Sequence, residues 1–285
     1  MSDFIQFARS HGIIINELPP VGVWKRYRTE DHPRKKNGSV KYMGTHGFVQ
    51  NHALSTVTAL WKPDSSNGQV PDMKAIIISQ AKAEQARKRL ATQAVGKAVA
   101  MLNESGYATH PYLVRKGFPD ETGNVLMIES KPVLLIPMRV GKSLVGLQQI
   151  WPEGDKRFLY GQRTAGATFS FDNKGINIVC EGYATALSVR AAMKQMKQRY
   201  HIHVCFSAGN MVKVAAGLEP GLVIADNDKS GTGQQAAEDI GWPVWMSDRE
   251  GEDANDHMRR VGLFAFSQSL TQSMLNISTG RHYQR

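Results

Sequence analysis

Asp226 and Asp228 stand one residue apart at the end of the apolar run Leu222-Val223-Ile224-Ala225, and Lys229-Ser230-Gly231-Thr232-Gly233 follows. Two carboxylates this close repel unless a cation such as Mg²⁺ lies between them or water screens them. Alone, Asp226-Asn227-Asp228 reads equally as a solvated turn. The pattern recurs, however. Ile176-Asn177-Ile178-Val179-Cys180 ends in Glu181-Gly182-Tyr183, and Trp242-Pro243-Val244-Trp245-Met246 precedes an acidic loop from Asp248 to Asp256. If the three runs are parallel strands, their carboxylate-bearing ends share one sheet edge, where open α/β sheets hold ligands. Such convergence points to a divalent-metal site rather than to three unrelated turns.

Bringing those ends together needs alternating strands and helices. Residues 176–262 supply them: apolar runs at 176–180, 201–206, 221–225 and 243–246 alternate with helical patterns at 184–198, 210–217, 233–240 and 254–261. This order predicts a mostly parallel sheet with helices on its faces.

Upstream, residues 106–175 read as mixed α+β. Val133–Met138 and Leu144–Ile150 form a predicted hairpin around Val140-Gly141-Lys142-Ser143. Gly-Lys-Ser is not a phosphate loop here, because Ile136 stands where the required earlier glycine belongs and no long helix pattern follows. Lys156, Arg157 and Arg163, just ahead of the acidic segment, are candidates for nucleotide or template phosphates, with a plain hairpin as the alternative. Residues 64–105 read as a linker, Pro63 to Gly68, and then one long or two shorter helices over 73–103. Residues 1–63 predict a small β-rich domain with a short helix at Phe4–Arg9. From Trp24 this stretch is basic and turn-rich, with strands near 41–43, 47–51 and 59–62. Its cations Lys25, Arg26, Arg28, Arg34, Lys35 and Lys36 interleave with Trp24, Tyr27, Tyr42, Phe48 and Trp61, a mixture suited to the phosphates and bases of single-stranded nucleic acid. An aromatic core under a solvated basic face is the alternative. The last segment, 263–285, reads as a tail with one amphipathic stretch and a basic end.

The chain has 285 residues, with 35 Lys+Arg against 25 Asp+Glu and a formal charge of +10. A basic chain with an acidic cluster inside it suits a polyanion held near metal. No apolar run approaches the roughly 20 residues of a membrane span, and Met1-Ser2-Asp3-Phe4 is no signal peptide, so the expected location is the cytoplasm with no membrane partner. Cys180 and Cys205 fall in predicted strands as packing residues, and with His46 and His52 they are too few for a zinc site, so no zinc is expected.

In this order the motifs resemble a known family. Val179-Cys180-Glu181-Gly182-Tyr183, then Ala225-Asp226-Asn227-Asp228-Lys229-Ser230-Gly231, then Gly251-Glu252-Asp253-Ala254-Asn255-Asp256 look like the three signatures of a Toprim domain, as in DnaG-type primases and topoisomerases. The wording is closest to primases of phages and plasmids, including Glu181-Gly182-Tyr183-Ala184-Thr185-Ala186 and Phe206-Ser207-Ala208-Gly209-Asn210. The likeness covers roughly 106–262 and is strongest over 176–262.

That resemblance implies an α/β Toprim domain at 176–262 behind an α+β primase subdomain at 106–175. It implies a DNA primase that makes short RNA primers on a single-stranded DNA template from nucleoside triphosphates, beside a separate helicase and in a bacterial host's cytoplasm if phage-encoded. Glu181 would be the general acid/base or help position metal, Asp226 and Asp228 would ligate Mg²⁺ or Mn²⁺, and Asp253 and Asp256 would complete the acidic patch. Lys156, Arg157, Arg163 and Lys229 would hold triphosphate or template. Two departures stand out: Thr185 replaces an acidic residue often found four after the glutamate, and residues 24–62 hold no cysteine where such enzymes carry a zinc ribbon. A non-catalytic DNA-binding accessory protein and a Toprim nuclease are the alternatives; the chain is too short for the gate of a type IA topoisomerase.

Overall fold

The computed structural model describes residues 3–54, 57–63 and 73–278. It divides into two compact units, 1–89 and 90–285.

In the first unit, helix α1 (Asp3–Ser10) precedes β1 (Ile13–Ile14), β2 (Trp24–Thr29), β3 (Gly38–Tyr42), β4 (Gly47–Asn51) and β5 (Ala59–Trp61). The strands pair antiparallel in the order β1-β2-β3-β4-β5. Alternation along each strand sends Val40, Val49 and Trp61 inward onto Phe4, Ile5 and Ala8 of α1. The stretch from Trp24, expected to be turn-rich, is a six-residue strand. Its apolar signal is weak because only Tyr27 and Thr29 turn toward covered positions, while Trp24, Lys25, Arg26 and Arg28 are exposed.

Helix α2 (Met73–Glu104) is a single helix of 32 residues. After it come β6 (Gly106–Ala108), α3 (Pro111–Arg115), β7 (Gly123–Ile128), β8 (Lys131–Val140), β9 (Ser143–Ile150) and β10 (Lys156–Phe158), which build an antiparallel sheet in the order β10-β9-β8-β7-β6. The predicted hairpin is β8 and β9, with Gly141-Lys142 as its two-residue turn and Gly141 at φ 57°. The Gly-Lys-Ser thus closes a hairpin, as its rejection as a phosphate loop requires. One sheet face packs Val133, Leu135 and Leu147 against Ala98 of α2. The other sends Leu134, Ile136, Met138 and Ile150 into the core shared with the segments that follow.

Those segments are β11 (Phe169–Asp172), β12 (Ile176–Cys180), α4 (Tyr183–Gln195), β13 (Tyr200–Val204), α5 (Ala208–Ala215), β14 (Leu222–Ala225), α6 (Thr232–Ile240), β15 (Val244–Met246), α7 (Ala254–Val261) and α8 (Leu263–Ser278). The sheet runs β11-β13-β12-β14-β15; β11 is antiparallel and the other four strands are parallel. Ile178, Cys180, Leu222 and Ile224 face the core beneath α4, α7 and α8, whereas Val179, Val223 and Ala225 face α5 and α6. Both faces are therefore covered, which explains why β14 is apolar at every position. The segment 263–278, expected to be part of a tail, is a helix that buries Phe266 and Leu270 in the core. Its spacing of four places those two residues on one side, and the Ser and Gln between them mask the pattern. The basic end, 281–285, lies outside the described residues.

Candidate metal centre

The chain leaves β12 through α4 to reach β13 on one side, then returns through α5 to β14 on the other. The carboxyl end of β12 is thus a topological switch point, where open α/β sheets leave a crevice. Glu181 follows the last residue of β12, and Asp226 follows the last residue of its neighbour β14, across the register Cys180↔Ile224. Asp253 caps α7 and its side chain accepts the Asp256 N–H at 2.8 Å, so that loop comes from beyond β15.

Asp226, Asn227, Asp228, Gly251, Glu252, Asp253 and Asp256 line a small cleft of about 150 Å³. Its two walls are tied together: Asn227 N–H donates to the Glu252 carbonyl at 3.2 Å, and Asn227 Nδ2 donates to the Ser247 carbonyl at 3.0 Å. Asp228 is braced by Ser230, whose N–H and hydroxyl donate to Oδ1 at 2.9 and 2.6 Å. Glu181 does not line this cleft but lies close enough to interact electrostatically with both Asp226 and Asp228.

Electrostatics marks the same residues. Burial first, then the charges of Glu181, Asp253 and Asp228, push Asp226 up to about 7, with Lys156 opposing. Burial also holds Glu181 above the usual carboxylate range, aided by Asp228 and opposed by Lys156 and the Ala208 N–H. Asp226 Oδ1 is buried without a hydrogen-bond partner. A buried, unpaired carboxylate oxygen facing three further carboxylates is unfavourable by itself and becomes favourable around a cation. The donor set, all oxygen, fits Mg²⁺ or Mn²⁺.

Among the described residues, Asp248, Glu252 and His257 also bring ligand atoms within 4.8 Å of one another. There the cation is already present: Arg260 donates to both Glu252 oxygens at 2.8 Å and to Asp248. This guanidinium holds the acidic loop beside the cleft instead of a metal.

The expected phosphate-binding cations separate. Lys156 is near enough to act on Glu181 and Asp226. Arg157, on the opposite face of β10, lies over the Trp151 ring at 4.9 Å. Arg163 donates to its own turn at the Ala165 carbonyl, and the exposed Lys229 lies 3.8 Å from Glu250. Three cations absent from the sequence-based set lie beside the acidic cleft. Arg115, Lys116 and Arg259 join Lys156 around a recess of about 680 Å³ that shares Asp253 with the acidic cleft and also contains Glu153 and Asp155. Lys116 Nζ lies 3.8 Å from Asp253 and 3.4 Å from Asp256. The only hint in the sequence is the basic pair Arg115-Lys116, some 140 residues from the carboxylates it faces.

Thr185 is buried in the first turns of α4. In the first unit, strand register lines Trp24, Lys41, Phe48 and Leu60 across one face of the sheet, with Trp24 49 % and Leu60 48 % exposed. Arg26 and Arg28 share that face by alternation, Lys25 lies over the Tyr27 ring at 5.5 Å, and Arg34, Lys35 and Lys36 are exposed between β2 and β3. No described helix is long and apolar enough to cross a membrane.

No curated protein matches the chain. Residues 176–263 match the family model of the Toprim domain. Toprim domains bind Mg²⁺ through acidic residues and occur in primases, nucleases and topoisomerases; the chain carries one at residues 176–263.

Proposed function

We propose that the protein is a DNA primase of the phage or plasmid type, joining ribonucleotides on single-stranded DNA in a bacterial cytoplasm beside a separate replicative helicase. The observation that carries the reading is the juxtaposition of two sites sharing Asp253: an acidic cleft with an unpaired carboxylate oxygen, and a larger basic recess. Hydrolysis of DNA needs the first site; a substrate with its own triphosphate also makes use of the second.

In this reading Asp226, Asp228 and Asp253 hold the divalent ions, with Glu181 behind them and Asp256 completing the patch. When bound, these ions stabilise the attacking 3′-oxygen and the leaving pyrophosphate. Lys156, Lys116, Arg115 and Arg259 receive the triphosphate. Glu181, whose carboxylate is made more basic than usual by burial, takes the proton of the attacking 3′-hydroxyl. The joining step forms a bond between that 3′-oxygen and the α-phosphorus and breaks the bond to pyrophosphate, so atoms and charge balance.

The test is incubation of the full chain with single-stranded DNA, Mg²⁺ or Mn²⁺ and labelled nucleoside triphosphates. Short labelled oligomers support the primase. Shortened DNA means a nuclease, and retention of DNA without chemistry means a binding protein; either overturns the proposal.

The exposed row on the first unit supports template binding as part of this reading. Trp24→Ala is expected to weaken binding to an oligothymidylate about tenfold, the effect of one lost stacking contact. Arg26→Ala should instead flatten the dependence of affinity on salt by a slope of roughly 0.7. Fluorescence anisotropy at several salt concentrations separates the two. Equal affinity of Trp24→Ala and the unaltered protein would remove the stacking face from the reading.

A further inference from the structure

We infer that Phe158 is the platform on which the base of the bound nucleotide stacks, a positioning role that rests on the nucleotidyl-transfer reading above. β10 pairs with β9 in the register Lys156↔Ile150, Arg157↔Gln149, Phe158↔Gln148. Successive side chains of a strand point to opposite faces, so Lys156 and Phe158 share one face and Arg157 takes the other, over Trp151. Ile150 and Gln148, which share the Lys156 face, are buried, Ile150 within the core that the two sheets of this unit share. Lys156 and Phe158 thus stand on the side from which Lys156 acts on Glu181 and Asp226.

Phe158 is fixed from below. Its ring meets Phe206 edge to face, with centroids 6.2 Å apart and planes at 85°. Phe206 is itself anchored: it is buried, its N–H donates to the Glu181 carbonyl at 2.9 Å, and its backbone sits at φ 67°. That left-handed conformation costs a phenylalanine energy, and it turns the chain directly into Ser207 and the Ala208 N–H that meets Glu181. The residue holding up Phe158 is therefore built into the acidic centre.

Despite this support, Phe158 remains 44 % exposed. A single exposed phenylalanine needs no explanation. One clamped by an anchored aromatic and set two residues from the lysine of the acidic centre, on the same strand face, offers an apolar surface beside the cation assigned to the phosphates. Every base has a π-face, so the platform accepts all four nucleotides alike and leaves base choice to the template.

The test compares Mg·ATP with Mg·tripolyphosphate, which has the phosphates and no base, by calorimetric titration of the full chain. Phe158→Ala is expected to weaken ATP binding about tenfold, the effect of one lost stacking ring, and to leave tripolyphosphate binding unchanged. Phe158→Trp restores ATP binding, and Lys156→Ala weakens both ligands. Equal ATP affinity of Phe158→Ala and the unaltered protein overturns the inference. So does equal loss for the two ligands, or an unaltered protein that binds neither. Because binding is read without turnover, a chain that takes ATP in this manner and makes no primers would refute the primase and leave the platform standing.

Discussion

Asp226→Asn is expected to do two opposite things: to reduce the proposed metal-dependent nucleotide joining by roughly 10²- to 10³-fold, the loss typical of removing one charge-stabilising group from a catalytic site, and to make the metal-free protein more stable at pH 8. Both follow from the same burial. In the unfolded chain this carboxyl ionises at its ordinary value of 3.8; in the folded chain burial and its acidic neighbours push it up to about 7. Between those values the folded state binds more protons than the unfolded state, so stability is greatest below 3.8 and falls as pH rises through about 7. It is flat above that. A shift of about three pKa units corresponds to the order of 4 kcal/mol at pH 8. Asparagine carries no charge, so the variant avoids this cost and should melt higher than the unaltered protein at pH 8 in chelator, with the gap closing toward pH 4. Adding Mg²⁺ should raise the melting temperature of the unaltered protein much more than that of the variant, since a ligand stabilises only the state that binds it. Calorimetric scans at pH 5 and 8, with chelator and with Mg²⁺, read all of this. A variant less stable than the unaltered protein in chelator at pH 8, or an equal response to Mg²⁺, would show that Asp226 is satisfied without metal.

The acidic centre was legible because its parts are local. Leu222–Ala225 must be apolar on both faces to lie inside a parallel sheet, and such a run stops where the chain meets solvent. The carboxylate that follows is therefore placed by the strand, and the same holds for Glu181 after β12. What the sequence hid is relational. Lys156 and Arg157 look equivalent in a line of residues, yet the two-residue period of β10 sends one toward Glu181 and the other onto Trp151. Lys116 reaches Asp256 only because α3 and α7 are brought together across some 140 residues of chain. Glu252 looks like one more ligand in an acidic loop, and its pairing with Arg260, a full two turns further along, becomes visible only when α7 is formed. Trp24–Thr29 failed as a strand signal for a different reason: a sheet with one face open to solvent leaves most of this edge-proximal strand polar, so hydrophobicity alone does not mark it.

Gly233→Ala should damage the centre from behind, without touching a charged group. Alanine in the first turn of an exposed helix normally gains roughly 1 kcal/mol over glycine. Here a Cβ would lie 2.5 Å from the Asp226 carbonyl oxygen and 3.1 Å from its nitrogen, backbone atoms that cannot swing aside as a side chain would. Nor can the strand retreat, since β14 is held between β12 and β15 through Ile224↔Cys180 and Ile224↔Trp245. The remaining responses are to push α6 outward or to rotate the peptide at Asp226, and either turns its carboxylate away from Asp253. Overpacking of this kind costs about 1–3 kcal/mol, expected as a melting temperature lowered by roughly 3–10 °C. The affinity for Mn²⁺, read by electron paramagnetic resonance, should fall by more than about tenfold, as for displaced supports of a metal ligand. Gly231→Ala is the matched comparison: its φ of 66° makes alanine strained, but its Cβ would meet nothing within 4 Å, so it should cost stability of about 1–2 kcal/mol and leave Mn²⁺ affinity intact. If both variants lose stability and neither loses Mn²⁺, the cation does not depend on where Asp226 points, and the ligand set must be sought in Asp228 and Asp253 alone.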